Sequence, residues 1–124
     1  MKPFTDLECW KKSRELRNEI SALTKTFRPD EKYRLSDQII RSSRSIGNNI
    51  AEGHGRFHYI DSIKFFINAR GSASETIDHL YVALDEGYIE RETFDRLREL
   101  CESCSRLING YINYLRQQKA EKDL

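Results

Sequence analysis

From Phe94 onward, the apolar residues recur at alternating steps of three and four: Phe94, Leu97, Cys101, Cys104, Ile108, Tyr111 and Leu115. Only an α-helix, with 3.6 residues per turn, gathers such a series onto one stripe. A long helix with one apolar stripe must bury it against other elements. The rest of the chain repeats the period. Cys9, Ser13, Leu16, Ile20, Leu23 and Phe27 form one face. Leu35, Ile39, Ser43, Ile46, Ile50 and Phe57 form a second, and Ile63, Phe66, Ile67, Ile77, Leu80 and Leu84 a third. No segment sustains the period of two that a strand requires. Helices are therefore predicted at about 5–27, 35–57, 60–86 and 91–118. Their short connections force antiparallel neighbours. The predicted fold is all-α, one domain over 1–124, an antiparallel up-down-up-down four-helix bundle. The charged tail QQKAEKDL is expected to fray.

Local signals mark the helix ends. Thr5-Asp6-Leu7-Glu8 fits a capping box, with Phe4 and Cys9 placed to close a hydrophobic staple. Pro29 ends the first helix or opens the next turn. Gly87 stands where a left-handed residue ends the third helix.

The stretch SSRSIGNNIAEGHG, from Ser42 to Gly55, is rich in weak helix formers yet keeps its isoleucines four apart. Ser43, Gly47 and Ala51 align beside the isoleucine face, and Ala69 and Ala73 repeat the device, with Gly71, Ser72 and Ser74 around them. Each interior glycine costs about 0.5–1 kcal/mol of helix propensity relative to alanine. Close packing along these small residues is expected to offset that cost, within the chain or against another copy. Ile40, Gly47 and Ala51 widen the apolar arc and point to a subunit contact. Asn49, beside the isoleucine stripe, needs a partner such as Ser72, Glu75 or a neighbouring backbone group. A break is expected only near Gly53–Gly55.

With 33% charged residues, mean hydropathy of −0.73 and no long apolar run, the chain reads as soluble and not membrane-bound. Its start lacks the basic-then-apolar pattern of a secretory leader. Three cysteines, an odd number, then suggest reduced thiols in a cytoplasm. Net charge is +1, but residues 1–70 hold 14 Lys and Arg against 9 Asp and Glu, while residues 71–124 hold 7 against 11. That split suits a basic surface for nucleic acid, or one half meeting the other.

The segment QIIRSSRSIGNNIAEGHGR, Gln38 to Arg56, resembles a bacterial family of small four-helix proteins, the 23S rRNA intervening-sequence proteins. That family is related to the accessory variability determinant of diversity-generating retroelements. FTDLECWKKSREL, FRPDEKYRL, ARGSASE and LDEGYI match in order, so the resemblance covers nearly the whole chain. It implies a ring-like homo-oligomer of five subunits. By the retroelement member it implies binding of RNA and of a nucleic-acid enzyme, a reverse transcriptase. Gly47 stands where many relatives carry proline, and this chain lacks the strong basic charge of the retroelement member.

Arg34, Arg41, Arg44, Arg56, Lys64 and Arg70 are the candidate nucleic-acid contacts, able to neutralise phosphates without reading sequence. Ile40, Ser43, Gly47, Asn49, Ala51, Ala69 and Ala73 are the candidate seam or oligomer residues. An acidic stripe of Glu92, Asp95, Glu99 and Glu102 offers a neighbouring chain's arginines a partner. The turn HGRFHY, His54 to Tyr59, is read chiefly as packing under the end of the bundle, with base stacking as the other use of its rings. His54 and His58 have a metal-like spacing that Gly53 and Gly55 interrupt, and His79 has no evident partner. Cys101-Glu-Ser-Cys104 has a redox spacing but sits on the helical seam, so core packing is expected. No motif points to catalysis, a cofactor or a metal. The sequence thus favours a non-enzymatic, homo-oligomeric scaffold or adaptor on RNA. A protein–protein module without nucleic acid is the alternative, and a nuclease or metal-dependent enzyme built on the turn histidines a third.

Overall fold

The computed structural model describes residues 2–123. Four helices carry the chain: α1 (Glu8–Thr24), α2 (Asp37–His54), α3 (Tyr59–Asp85) and α4 (Arg91–Asp123), with no strand among the described residues. Each helix has two neighbours, because α2 packs on α1 and α3 while α4 packs on α3 and α1. One core results. Leu16, Ile20, Ile39, Ile46, Ile50, Phe66, Leu80, Phe94 and Ile108 are all fully buried in it.

The expected capping box does not form. Phe4–Asp6 is a short 3-10 turn, Leu7 is extended, and α1 begins only at Glu8 with no side-chain cap. Leu7 is itself buried, and its extended backbone separates the turn from the helix. Phe4 lies edge-on to Trp10 at 5.4 Å instead of meeting Cys9, which faces the core. At the other end α1 stops at Thr24, and Phe27 is buried outside the helix. Pro29 opens a 3-10 turn, and a π-helical turn over Lys32–Ser36 leads straight into α2. The Glu31 carboxylate accepts the Leu35 amide at 3.3 Å and the Tyr88 hydroxyl at 2.9 Å, tying this connection to the α3–α4 turn.

Gly87 ends α3 as its position predicts, with φ at +75°. Tyr88 N–H bonds the Ala83 carbonyl at 2.9 Å and Gly87 N–H the Leu84 carbonyl at 3.0 Å, the two bonds of a Schellman motif. The tail expected to fray is instead helical through Asp123, where Lys119 pairs with Asp123 at 2.8 Å.

Between α2 and α3 runs a seam of small residues and hydroxyls. Ser42 and Thr76 share a hydrogen bond of 2.8 Å, and the Ser72 hydroxyl donates to the Ser45 hydroxyl at 2.9 Å. Asn49 donates to the Ser45 carbonyl and hydroxyl at 2.9 and 3.0 Å, so its link to Ser72 passes through Ser45. Ser62 donates to the Gly53 carbonyl at 2.7 Å. Each polar group placed at this close contact has a partner, as buried polar groups require. A β-carbon at Gly53 would lie 2.9 Å from both the Phe65 β-carbon and the Phe66 ring. Among the glycines, Gly53 therefore has the tightest surroundings.

Three expectations change at this seam. α3 buries its small edge, Ser62, Ala69, Ala73, Thr76 and Ala83, while Ile63, Ile77 and Leu84 are half-buried and Ile67 is exposed. Gly71, expected in a tight contact, has no atom within 4 Å of where its β-carbon would stand. Phe57, assigned to the apolar face of α2, lies beyond the helix end and is 93% exposed.

Gly47 holds helical register inside α2 and faces α1. Its β-carbon would stand 3.0 Å from the Ser13 hydroxyl and 3.5 Å from the Trp10 indole nitrogen. Gly47→Leu is therefore expected to destabilise the fold by about 1–3 kcal/mol. A urea melt with an unchanged midpoint would contradict this placement.

Candidate nucleic-acid interface

The six candidate cations do not form one patch. Arg41 and Arg44 project from the exposed stripe of α2, with Asn48 beside them. Arg34 lies in the π-helical turn and Lys64 on the outer face of α3. None of these four makes an ion pair among the described residues. The other two are already engaged. Arg56 pairs with Glu52 at 3.1 Å and lies over the Phe65 ring at 4.6 Å. Arg70 is half-buried and donates to the Asn109 side chain at 2.7 Å.

The seam candidates divide as well. Ser43, Gly47, Ala69 and Ala73 are buried within the subunit. Asn49 and Ala51 are half-buried on α2. Ile40 is half-buried and lines a shallow hollow with Phe27 and Pro29. Gly47 thus serves contact with α1, not a subunit contact.

Two further cations were missed in the sequence. Arg14 and Arg17 lie on the Trp10 ring, their guanidinium carbons 5.8 and 5.6 Å from its centroid. The signal was the Trp10-Arg14-Arg17 spacing of four and three, which places all three on one helical face. The Arg17 guanidinium also lies 3.7 Å from the β-carbon position of Gly47, which brings it against α2. Neither arginine has an ion pair among the described residues. The outer faces of α1 and α2 therefore hold Arg14, Arg17, Arg41 and Arg44 without acidic partners.

The stretch of α4 from Arg91 to Arg106 is arranged in the opposite way. Arg91 pairs with Asp95 at 3.2 Å, Arg98 with Glu102 at 3.1 Å, and Arg106 with Glu99 at 2.6 Å. Arg96 reaches Glu19 of α1. The Arg106 hydrogen bond holds the Glu99 carboxyl below its usual range. The acidic stripe expected to meet another chain's arginines is thus largely neutralised within its own helix.

Cys9, Cys101 and Cys104 are free and buried. Burial pushes the Cys9 thiol up to about 11 and those of Cys101 and Cys104 up to about 12. A nucleophilic thiol needs the opposite shift, so the core-packing reading of this pair holds. His54 lies at the end of α2 and donates to the Lys2 carbonyl at 2.6 Å, while His58 lies beyond the helix. His79, read as unpartnered, meets Glu75 at 3.2 Å. The HGRFHY turn packs only in part: Tyr59 lies against the core, whereas Phe57 and His58 are both exposed. No described helix is long and apolar enough to cross a membrane.

Comparison with known proteins places this geometry. A solved structure from Bacteroides thetaiotaomicron, described as a protein with unknown function from the S23 ribosomal protein family, superposes with a TM-score of 0.79. It is 29% identical, over 85% of this chain and 95% of the other. No curated protein matches. Residues 5–110 match the family described as 23S rRNA-intervening sequence protein. With that match spanning most of its length, the chain belongs to the 23S rRNA-intervening sequence protein family.

Proposed function

We propose that the protein is a non-enzymatic, cytoplasmic homo-oligomer that holds RNA by its phosphates on the outer faces of α1 and α2. The observation that carries this reading is the unequal pairing of arginines. Those from Arg91 to Arg106 on α4 all have acidic partners, whereas Arg14, Arg17, Arg41 and Arg44 have none among the described residues. A cationic face without internal counter-charges attracts a polyanion in a salt-dependent, sequence-independent way. The four helices are read as an up-down-up-down antiparallel bundle, supported by the short α2–α3 and α3–α4 connections and the cyclic order of neighbours. Assembly, into the five-membered ring implied by family resemblance, is supported by the outer face of α3. There Ile60 and Val82 are 54% and 40% exposed, with Ile67 and the open Gly71 between them. A nucleic-acid enzyme bound to the same assembly completes the proposal.

The test is light scattering and filter retention with structured RNA across a salt series. Binding is expected to fall steeply with salt, and Arg41→Glu with Arg44→Glu to abolish it. Both positions are exposed, so the assembly mass should not change. Retention by the double variant equal to wild type would sink the RNA reading. A stable assembly that retains no RNA would establish the alternative, a protein–protein module.

A further inference from the structure

At the end of the molecule where α2 turns into α3, a cleft of about 560 Å³ opens between that turn and the last turns of α4. Its walls include Phe57, His58, Tyr59, Tyr111, Tyr114 and Lys122. Tyr111 is fixed from within, its ring 4.7 Å from that of buried Phe66. Tyr114 continues the surface at 5.5 Å and is half exposed. Phe57 stands at the rim with 93% of its surface in water. Its one aromatic neighbour, His58, meets it edge-on at 5.0 Å, so a face of the phenyl ring is left open. Nothing in the folding of this turn uses that ring.

Charge narrows what such a cleft accepts. The one carboxylate that lines it, Asp123, pairs with Lys119 at 2.8 Å, and the lining Arg56 pairs with Glu52 at 3.1 Å. Lys122 lies over the Tyr59 ring at 5.8 Å, and neither it nor Lys2 has an ion pair among the described residues. Among the lining residues, the charge left unpaired is the positive one of Lys122. An aliphatic peptide or a lipid chain would use neither the flat rings nor the ammonium groups. Nucleotides carry both a π-face and a negative charge.

We propose that this cleft seats unpaired bases of single-stranded RNA, stacked on Phe57 and Tyr114, with Lys122 meeting the phosphates. The inference rests on the RNA reading and adds to it a site and a strand preference. The exposed stripe of α2 runs from Arg44 past Asn48 to the helix end at the cleft, about 15 Å by helical rise. Phosphates held by the α1–α2 face would thereby lead the chain to the rings.

Fluorescence anisotropy with a short labelled oligouridine and an RNA duplex of equal length tests it. Phe57→Ala with Tyr114→Ala is expected to weaken oligouridine binding by about tenfold or more, and to leave duplex binding unchanged. Phe57→Trp should retain the oligouridine. Unchanged oligouridine binding in the double alanine variant, or an equal loss on both probes, would overturn the cleft. Duplex binding by the wild type without oligouridine binding would also overturn it while leaving the α1–α2 reading intact. Failure of both probes on the wild type would overturn the two together.

Discussion

Gly53→Leu is expected to lower the unfolding free energy by about 3 kcal/mol. The reason is the geometry of the α2–α3 seam. An added β-carbon would stand 2.9 Å from the β-carbon of Phe65, an atom that moves only with its backbone. It would also meet the ring of Phe66, which is fully buried and packs on the Tyr111 ring at 4.7 Å. The ring has nowhere to retreat, so the helices must part. Parting them strains the Ser62 bond to the Gly53 carbonyl, and by extension the hydroxyl pairs at Ser72–Ser45 and Ser42–Thr76. Gly110→Ala, within α4 and away from the proposed assembly face, is the matched control, because its new methyl group enters open space. It should gain about 0.5–1 kcal/mol from helix propensity alone. Urea melts of both variants measure the contrast. Equal midpoints for Gly53→Leu and wild type would remove close helix contact as the explanation for the small residues.

The same contrast explains which parts of the fold were legible. Period 3.6 revealed all four helices because each carries a stripe of large apolar residues, and α4 is the clearest case. The inward edge of α3 was less visible. The apolar stripe placed Phe66 and Leu80 and the small-residue ridge placed Ala69 and Ala73, all fully buried, but Ile63, Ile67, Ile77 and Leu84 are not, while Thr76 and Ala83, marked by neither pattern, are. α3 packs on both α2 and α4. Small residues fit where it faces the core most closely, and larger ones flank that line. Phe57 failed for a related reason: the pattern extended the helix past Gly55, where the chain has already turned. The start of α1 failed because a buried, extended Leu7 outweighed a capping motif worth about 1 kcal/mol.

The interface was legible as charge but not as free charge. Sequence spacing exposes pairs four apart, such as Arg91–Asp95 and Arg98–Glu102. It does not expose Arg106–Glu99, seven apart, or Arg96–Glu19, which joins two helices. Only with those pairs known does the contrast emerge between the neutralised Arg91–Arg106 stretch of α4 and the unpaired arginines of α1 and α2. Arg56 and Arg70 left the candidate set for the same reason, since each already serves an internal contact.

The buried thiols make the fold sensitive to alkali, and Cys104→Ala should blunt that sensitivity. Desolvation raises the Cys104 thiol from 9.0 to about 12, with nearby Lys12 only partly opposing the shift. The unfolded chain begins to release this proton near pH 9, while the folded chain keeps it until about pH 12. The unfolded state thus binds fewer protons across that window. Stability is full below pH 9 and is lost as pH rises toward 12, at about 1.4 kcal/mol per pH unit for one such thiol. Cys101 and Cys9 act in the same direction. Cys101 and Cys104 influence one another, so their contributions do not simply add. Between pH 8 and pH 10.5, wild type should therefore lose about 2 kcal/mol more than Cys104→Ala, although the variant starts less stable because it leaves a small cavity. Urea melts at the two pH values give the comparison. Equal losses in the two proteins would mean that the Cys104 thiol ionises in the folded state as readily as in water, and that the α4 seam is wet.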